Sequence, residues 1–452
     1  MKKELRFIYK KIATEIRLQL GLAWPVIFTQ IFFILIEVTD CLMAGRLGTQ
    51  ELAAVSIGNA FLLPMLWTVF GLKMVLTPIV ARHRGAEEPE RVGKVVQHMA
   101  WIGIVVTMLL MLILYYSQTI LTKFGVDPSV VSLTSHYLKI RMYDIFPILM
   151  FVVLRYFFEG VGNTRPLVLS AGIGFLLNIP LNLILMNGWL GCPKLGLIGI
   201  AWATVTIEYI MFFLVLVMAQ RSAYKHYRVF SKWHSWQRSQ FASLLRLGLP
   251  SAAALAAEAG MICSVGLVLS TVSWKEVTAH QIALNIISLT FMVPLGISSS
   301  VASRIGYLIG AKSSTLSIRR ATYIGLGLSI AFMTISTTTI FLCAQKIVTL
   351  YTHNPDIQKT ATQLLYIAAA FQIIDGIQVT LQGILKGFKD TFVPMIMTGV
   401  SYWGVGFIVG YVLAIYYHMG AFGFWLGIAS GIIAITLCLS LRYRYIVRAK
   451  FY

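Results

Sequence analysis

Five carboxylic acids interrupt long apolar stretches of the sequence, and they have the clearest potential for chemistry. They are Glu37, Asp40, Glu208, Glu258 and Asp375. A carboxyl group in such surroundings can exchange a proton, or it can hold a hard cation together with neighbouring oxygen ligands. The alternative is an acid that is balanced by a basic partner or faces a water-filled cavity. We favour cation coupling for Asp40, Glu258 and Asp375, and a supporting or cavity-lining role for Glu37 and Glu208.

The elements that hold these acids are predicted to be membrane-spanning helices. Hydrophobic residues make up 58% of the 452 residues and charged residues 12%, whereas a soluble domain carries roughly 25% charged residues. The apolar runs are about 20 to 28 residues long, the length of a helix that crosses a bilayer. The sequence therefore predicts an all-α membrane protein with twelve transmembrane helices. The predicted spans are 17–44, 52–79, 95–117, 134–157, 167–188, 197–219, 245–271, 278–308, 320–343, 361–384, 392–416 and 421–441.

The net charge of +20 is distributed over alternate loops. The N-terminus and the even-numbered connections, with Lys386 and Lys389 among them, contain 27 of the 37 basic residues, and the opposite side contains six. Under the positive-inside rule, both termini are cytoplasmic. Because the charge forms no single patch, we expect no nucleic-acid partner.

The chain also repeats itself at an offset of about 225 residues. Pro25 corresponds to Pro250, and Gly71 corresponds to Gly296. Six spans per half give two repeats that enter the membrane in the same sense, as in several transporter folds. The predicted domains are an N-terminal cytoplasmic segment (1–16), an N-terminal six-helix lobe (17–219), a linker (220–244), a C-terminal six-helix lobe (245–441) and a cytoplasmic tail (442–452).

The repeat does not extend to the acids. The position that matches Asp40 is Val265, and the position that matches Glu258 is Phe33. Each half is therefore expected to offer a different cation environment on a similar frame.

Three further residues in the apolar spans are of interest. Lys73 could pair with Glu37 or Asp40, or extend along a cavity wall, and the sequence leaves these alternatives open. Phe291 and Met292 could contact flat cationic compounds, although packing or contact with lipid is the better explanation for either residue.

Several motifs together resemble the multidrug and toxic compound extrusion (MATE) family. In the N-terminal half they are Asp40-Cys-Leu-Met-Ala-Gly45 and Glu159-Gly-Val-Gly-Asn-Thr-Arg-Pro166. Asn178-Ile-Pro-Leu-Asn182 and Asp375-Gly-Ile-Gln378 are similar to the NorM-like branch of that family. The resemblance runs from about residue 17 to residue 440, in order and spacing.

The resemblance implies a V-shaped pair of six-helix lobes that exports organic cations in exchange for sodium ions or protons. It places Asn178, Asn182 and Thr204 around Asp40, and it makes Glu258 and Asp375 the acids of the C-terminal lobe. Na⁺ could then bind at either group. Phe371 stands where NorM-like sodium transporters tend to have a tyrosine, which removes one potential ligand from the C-terminal lobe.

The leading hypothesis from the sequence is thus a multidrug antiporter with Na⁺ or H⁺ as coupling ion, no other cofactor and no catalytic activity. Its partners would be small organic molecules and the lipid bilayer, and it would act as a monomer in the bacterial cytoplasmic (inner) membrane. The alternatives are a flippase for lipid-linked precursors or a metabolite exporter of related architecture, and a membrane enzyme. An anionic lipid-linked cargo would need several basic residues in the central cavity, and an enzyme would need a clustered catalytic set. The acids in the spans favour a cationic cargo by charge complementarity.

Overall fold

The computed structural model of the chain describes residues 2–125, 127–230 and 234–451, which form helices and turns and contain no β-strand. Eleven helices in this part of the chain are long and apolar enough to cross a membrane. Helices satisfy their own backbone hydrogen bonds, as a lipid environment requires. The prediction of an all-α membrane protein is confirmed.

Two compact units make up the chain. The N-terminal unit is Phe28–Arg246, and the C-terminal unit combines Met1–Ile27 with Leu247–Tyr452. Helix α1 (Lys2–Leu47) is continuous, so its first part belongs to the C-terminal unit and its second part to the N-terminal unit. The predicted lobe boundary differs from this division, because residues 17–27 were assigned to the N-terminal lobe.

Polar contacts account for the placement of the first part of α1 in the C-terminal unit. Arg304 donates to Glu15 at 2.8 Å, and Gln19 Nε2 donates to the carbonyl of Ala321 at 2.8 Å. A hydropathy profile contains no information about such pairings between distant parts of the chain.

The remaining helices alternate with short turns. In the N-terminal unit they are α2 (Thr49–Lys73), α3 (Leu76–Gly85), α4 (Pro89–Tyr115), α5 (Ser117–Lys123), α6 (Pro128–Arg141), α7 (Ile145–Val161), α8 (Arg165–Asn187), α9 (Leu197–Ala219) and α10 (Ser222–Lys225). Those that follow are α11 (Arg238–Val272), α12 (Trp274–Gly310), α13 (Thr315–Thr349), α14 (Pro355–Gly387), α15 (Phe392–Gly399), α16 (Ile408–Tyr411) and α17 (Gly420–Phe451). Helix α11 begins in the N-terminal unit and continues into the C-terminal unit.

The predicted fourth span, 134–157, is a broken helix. Helix α6 ends at Arg141, one 3-10 turn covers Met142–Asp144, and α7 begins at Ile145. Pro147 lies in the first turn of α7, where its missing N–H leaves no helical hydrogen bond unmade. With this two-part segment counted as one, the described residues contain twelve apolar segments, in agreement with the sequence.

The repeat predicted from the sequence is also a repeat of helix starts. Helices α2 and α12 begin 225 positions apart, at Thr49 and Trp274. Helices α8 and α15 begin 227 positions apart, at Arg165 and Phe392. Each unit therefore uses the same order of long helices.

The penultimate span departs from a regular α-helix. Val400–Phe407 and Val412–Tyr416 are π-helical, and α16 lies between them. This span packs against α17 through glycines: a β-carbon at Gly427 would lie 2.3 Å from Cα of Gly410 and 2.5 Å from the carbonyl oxygen of Gly406. Only glycine permits such a close approach of two backbones.

The predicted linker is largely folded against the N-terminal unit. We call residues 222–237 the strap; residues 231–233 within it lie outside the described part of the chain. Gln97 Nε2 of α4 donates to the carbonyl of Val229 at 2.7 Å, and the backbone N–H of Gln237 donates to Nε2 of His98 at 3.2 Å. The strap therefore leads into α11 along the start of α4.

Candidate functional site

The first polar site lies in the N-terminal unit around Asp40 of α1. Asn178 and Asn182 of α8 donate to Oδ1 of Asp40 at 3.0 and 2.8 Å, and the hydroxyl of Thr204 on α9 donates to Oδ2 at 2.7 Å. All four side chains are at most 3% exposed. The two amides reach the same carboxylate because they lie four residues apart, on one face of a helix.

Three donors suit an ionised carboxylate, which can only accept hydrogen bonds. The amide oxygens of Asn178 and Asn182 are buried without a hydrogen-bond partner. Buried oxygens are normally satisfied, and oxygens are the ligands that hard cations prefer. The residues that the resemblance placed around Asp40 are thus brought together, with two oxygens available beside them.

A second polar group lies close by, at the break between α6 and α7. Arg141 pairs with Asp144, and its guanidinium also donates to the hydroxyl of Tyr137 at 2.8 Å. Asp144 is completely buried, and Glu208 of α9 is 5% exposed. The charge of Arg141 acts on Asp40, Asp144 and Glu208. Three buried carboxyl groups therefore share one guanidinium.

The second site lies in the C-terminal unit. Glu258 is a half-buried residue of α11, and Asp375 of α14 is 6% exposed. The hydroxyl of Tyr402, in the first π-helical stretch, hydrogen-bonds to Glu258. Asp375 and Lys386 both lie close enough for their charges to interact with Glu258. The structure thus brings together the two acids predicted for this unit.

Tyr402 and Lys386 are functional candidates that the sequence analysis missed. Tyr402 supplies a phenol hydroxyl to this site, whereas Phe371 packs its ring against Trp425 with centroids 6.2 Å apart. Lys386 was assigned to a loop, but it lies in the last turn of α14 and is half-buried. Tyrosines within apolar spans and lysines at the ends of spans are common in membrane proteins, where they anchor helices at the membrane surface. Nothing in the sequence distinguishes Tyr402 and Lys386 from such anchoring residues.

The remaining predicted residues lie apart from these hydrogen-bond networks. Glu37 is exposed, one turn before Asp40. The ammonium of Lys73 is buried and donates to the carbonyl of Leu149 at 2.8 Å, which is a backbone contact and neither of the two acid pairings that the sequence left open. Phe291 and Met292 are half-buried residues of α12, and their contact with a substrate stays a prediction.

These two sites lie on a chain whose sequence matches a known family model. The model described as MatE matches residues 25–184 and 250–412. The chain belongs to the MATE family. Both matched segments contain a site, with Asp40, Asn178 and Asn182 in the first and Glu258 and Asp375 in the second.

Solved structures of MATE and MOP superfamily transporters share the fold. A eukaryotic MATE transporter, AtDTX14, is 20% identical with a TM-score of 0.87. An outward-facing multidrug resistance MATE family transporter of the MOP superfamily is 19% identical with a TM-score of 0.89. A MOP superfamily transporter from Pyrococcus furiosus is 19% identical with a TM-score of 0.87. Each match covers 96% of this chain and 96% of the other.

Proteins of the MATE family are transporters, and this chain is a multi-pass membrane protein of that family. Neither the family match nor these structures distinguish its NorM-like branch, so that assignment stays a prediction.

Proposed function

We propose that this MATE protein is a secondary active antiporter that exports organic compounds, mostly cationic and aromatic, in exchange for Na⁺ or H⁺. The observation that carries the proposal is the excess of buried acid in the cluster around Arg141. Asp40, Asp144 and Glu208 are buried, and one guanidinium, that of Arg141, acts on all three. An uncompensated charge in a membrane interior costs several kcal/mol. Protons or a metal cation must therefore balance the remaining acid.

Asp40 is the proposed ion-binding residue of the N-terminal unit. Its carboxylate, the hydroxyl of Thr204 and the free amide oxygens of Asn178 and Asn182 are the groups that would surround Na⁺. In the C-terminal unit, Glu258 and Asp375 are the corresponding acids. Proton uptake is the other form of coupling that the same carboxylates support.

A cationic cargo follows from the same charge balance. An anionic cargo, such as a lipid-linked precursor, would need basic groups that are not already engaged with acids. Arg141 pairs with Asp144, and the charge of Lys386 acts on Glu258, so each of these two cations faces a carboxylate. A further interior cation, Lys73, is completely buried and donates to the carbonyl of Leu149. A multidrug resistance transporter is among the structural relatives, which supports the export of organic compounds.

We further propose alternating access, in which the two repeats expose the binding groups to one side of the membrane at a time. Cation binding and cargo binding then weaken each other to the same extent, as linkage requires. The proposal includes action as a monomer without catalytic activity or a further cofactor. Both termini would be cytoplasmic, and the location would be a bacterial cytoplasmic membrane; the orientation rests on the distribution of Lys and Arg.

The test is ethidium efflux from proteoliposomes under an imposed Na⁺ gradient, compared with an imposed proton gradient. We expect one gradient to drive efflux and each of Asp40→Asn, Glu258→Gln and Asp375→Asn to reduce it by about tenfold or more, within the usual range of coupling energies. Glu87→Gln, at an exposed turn position, is the matched control. Efflux that ignores both gradients, or wild-type efflux from all three variants, would refute the proposal.

A further inference from the structure

A basic cleft lies in the N-terminal unit, and none of its lining residues belongs to the Asp40 site. It has a volume of about 340 Å³ and is lined by His83, Arg91, Lys94, Val95 and Gln240. These residues come from the last turn of α3, the first turns of α4 and the start of α11. Its size suits a small ligand or part of a larger one.

The cleft has a net positive charge. Arg91 and Lys94 lie three residues apart on one face of α4. Glu88 is the acid at the rim: it accepts from His83 at 2.8 Å and pairs with Arg91 at 3.1 Å. The hydrogen bond from His83 and the charge of Arg91 hold the pKa of Glu88 below its usual range. With Glu88 ionised, Arg91 and Lys94 leave one positive charge in excess, and protonation of His83 adds another.

The walls of the cleft are held in position by the strap. Gln97 Oε1 accepts from the backbone N–H of His234 at 3.0 Å, and His98 Nε2 accepts from that of Gln237. The strap passes so close to α4 that a β-carbon at Gly93 would lie 2.3 Å from the carbonyl oxygen of Tyr227. These contacts fix the start of α11, and with it Gln240, beside α4.

We propose that this cleft binds a phosphate group, either the headgroup of an anionic phospholipid or a soluble phosphate. Arginine and lysine are the side chains that recognise phosphate. The cleft is formed at the ends of helices that are long enough to span a membrane, and basic pockets between such helices are typical headgroup sites. Val95 contributes an apolar wall beside the charged groups.

The experiment measures binding to the purified, full-length protein in detergent. Native mass spectrometry counts phosphatidylglycerol adducts against phosphatidylcholine adducts, and the shift in Tm is followed with each lipid and with inorganic phosphate. Phosphatidylglycerol binding identifies a lipid headgroup as the ligand, and stabilisation by millimolar inorganic phosphate alone identifies a soluble source. Both results support a phosphate site. The proposal would be overturned if phosphatidylglycerol bound no better than phosphatidylcholine and inorganic phosphate did not raise the Tm.

Three variants test the assignment to this cleft. Each basic side chain near a membrane surface contributes about fivefold in affinity, so Arg91→Gln and Lys94→Gln should each weaken binding by about fivefold. Glu88→Gln should tighten binding, because it removes the carboxylate that pairs with Arg91 and His83. Arg165→Gln is the matched control: Arg165 is exposed, and the turn before it lies against Arg84 at the same end of the unit.

The gain of affinity in Glu88→Gln cannot arise from loss of folding, so it separates an anion site from a purely structural cluster. The proposal would be overturned if Glu88→Gln bound the phosphate ligand more weakly than the wild type. It would also be overturned if the double variant Arg91→Gln/Lys94→Gln bound that ligand as tightly as the wild type.

Discussion

The pairing of Arg141 with the buried acids leads to a sharp prediction about stability. Arg141→Met replaces the arginine with a long apolar side chain. The substitution removes the positive charge that acts on Asp40, Asp144 and Glu208. Breaking a buried ion pair by removing one partner costs about 3–5 kcal/mol, because the other charge is left uncompensated. We expect a loss of this size for Arg141→Met.

A second substitution should restore part of this loss. Asp144→Asn removes the carboxylate that pairs with Arg141, so the double variant has no orphaned charge at that position. We expect the double variant to be more stable than Arg141→Met, with a coupling energy of about 2 kcal/mol between the two sites. Glu159→Gln is the control, because Glu159 is also buried but accepts from Arg155 at 2.9 Å instead.

The measurement is reversible unfolding in mixed micelles of mild detergent and dodecyl sulfate. Arg141→Met/Asp144→Asn should recover stability, and Arg141→Met/Glu159→Gln should lose more. If Arg141→Met costs less than about 1 kcal/mol, as exposed ion pairs do, or if both double variants behave alike, Arg141 is not the counter-ion of this cluster and the charge argument for coupling fails.

Three further predictions concern other parts of the molecule. Tyr402→Phe removes the hydroxyl that donates to Glu258. It should reduce gradient-driven efflux when introduced into the wild type, but cause no further reduction when introduced into Glu258→Gln. Additive losses of efflux would show that the two residues act independently. Gly427→Ala should destabilise the protein by about 1–3 kcal/mol through overpacking. Gly399→Ala is the control and should be tolerated, because no atom lies within 4 Å of the added carbon. Equal unfolding midpoints for the two variants would contradict the close helix contact. The pKa of Glu88 is lowered in the folded protein. The Tm of the wild type should therefore exceed that of Glu88→Gln at pH 7, and this difference in Tm should be lost as pH falls below the normal carboxyl range. A difference in Tm that persists at pH 3 would show that the ionised form is not responsible.

The parts of the fold that depend on local composition were predictable. The long apolar runs identified twelve segments because hydropathy and helix length are local properties. The break at Met142–Asp144 was not predicted, because the strongly apolar run after Ile145 outweighed the charged residues Lys139, Arg141 and Asp144 when the span was assigned. The strap was described as a polar linker because polar composition is the same for a solvated segment and for one that docks through its backbone.

The sites were predictable only where one residue type is unusual for its surroundings. An aspartate in an apolar helix is conspicuous, so Asp40 and Asp375 could be singled out directly, and Asn178, Asn182 and Thr204 followed from the family resemblance. Arg141 was not singled out from the sequence, because its pairing with Asp144 depends on the broken helix. Tyr402 lies 144 positions after Glu258, and only the packing of α11 against the penultimate span brings the two together.

The internal repeat gives a way to locate function within a single chain. Helix starts and matched prolines and glycines persist between the halves, but Val265 stands opposite Asp40 and Phe33 stands opposite Glu258. Shared positions report the architecture that the two repeats have in common, and mismatched ionisable positions report where the two repeats differ in chemistry. Alignment of the two halves of such a chain, followed by comparison of their ionisable positions, therefore identifies candidate functional residues without any related sequence.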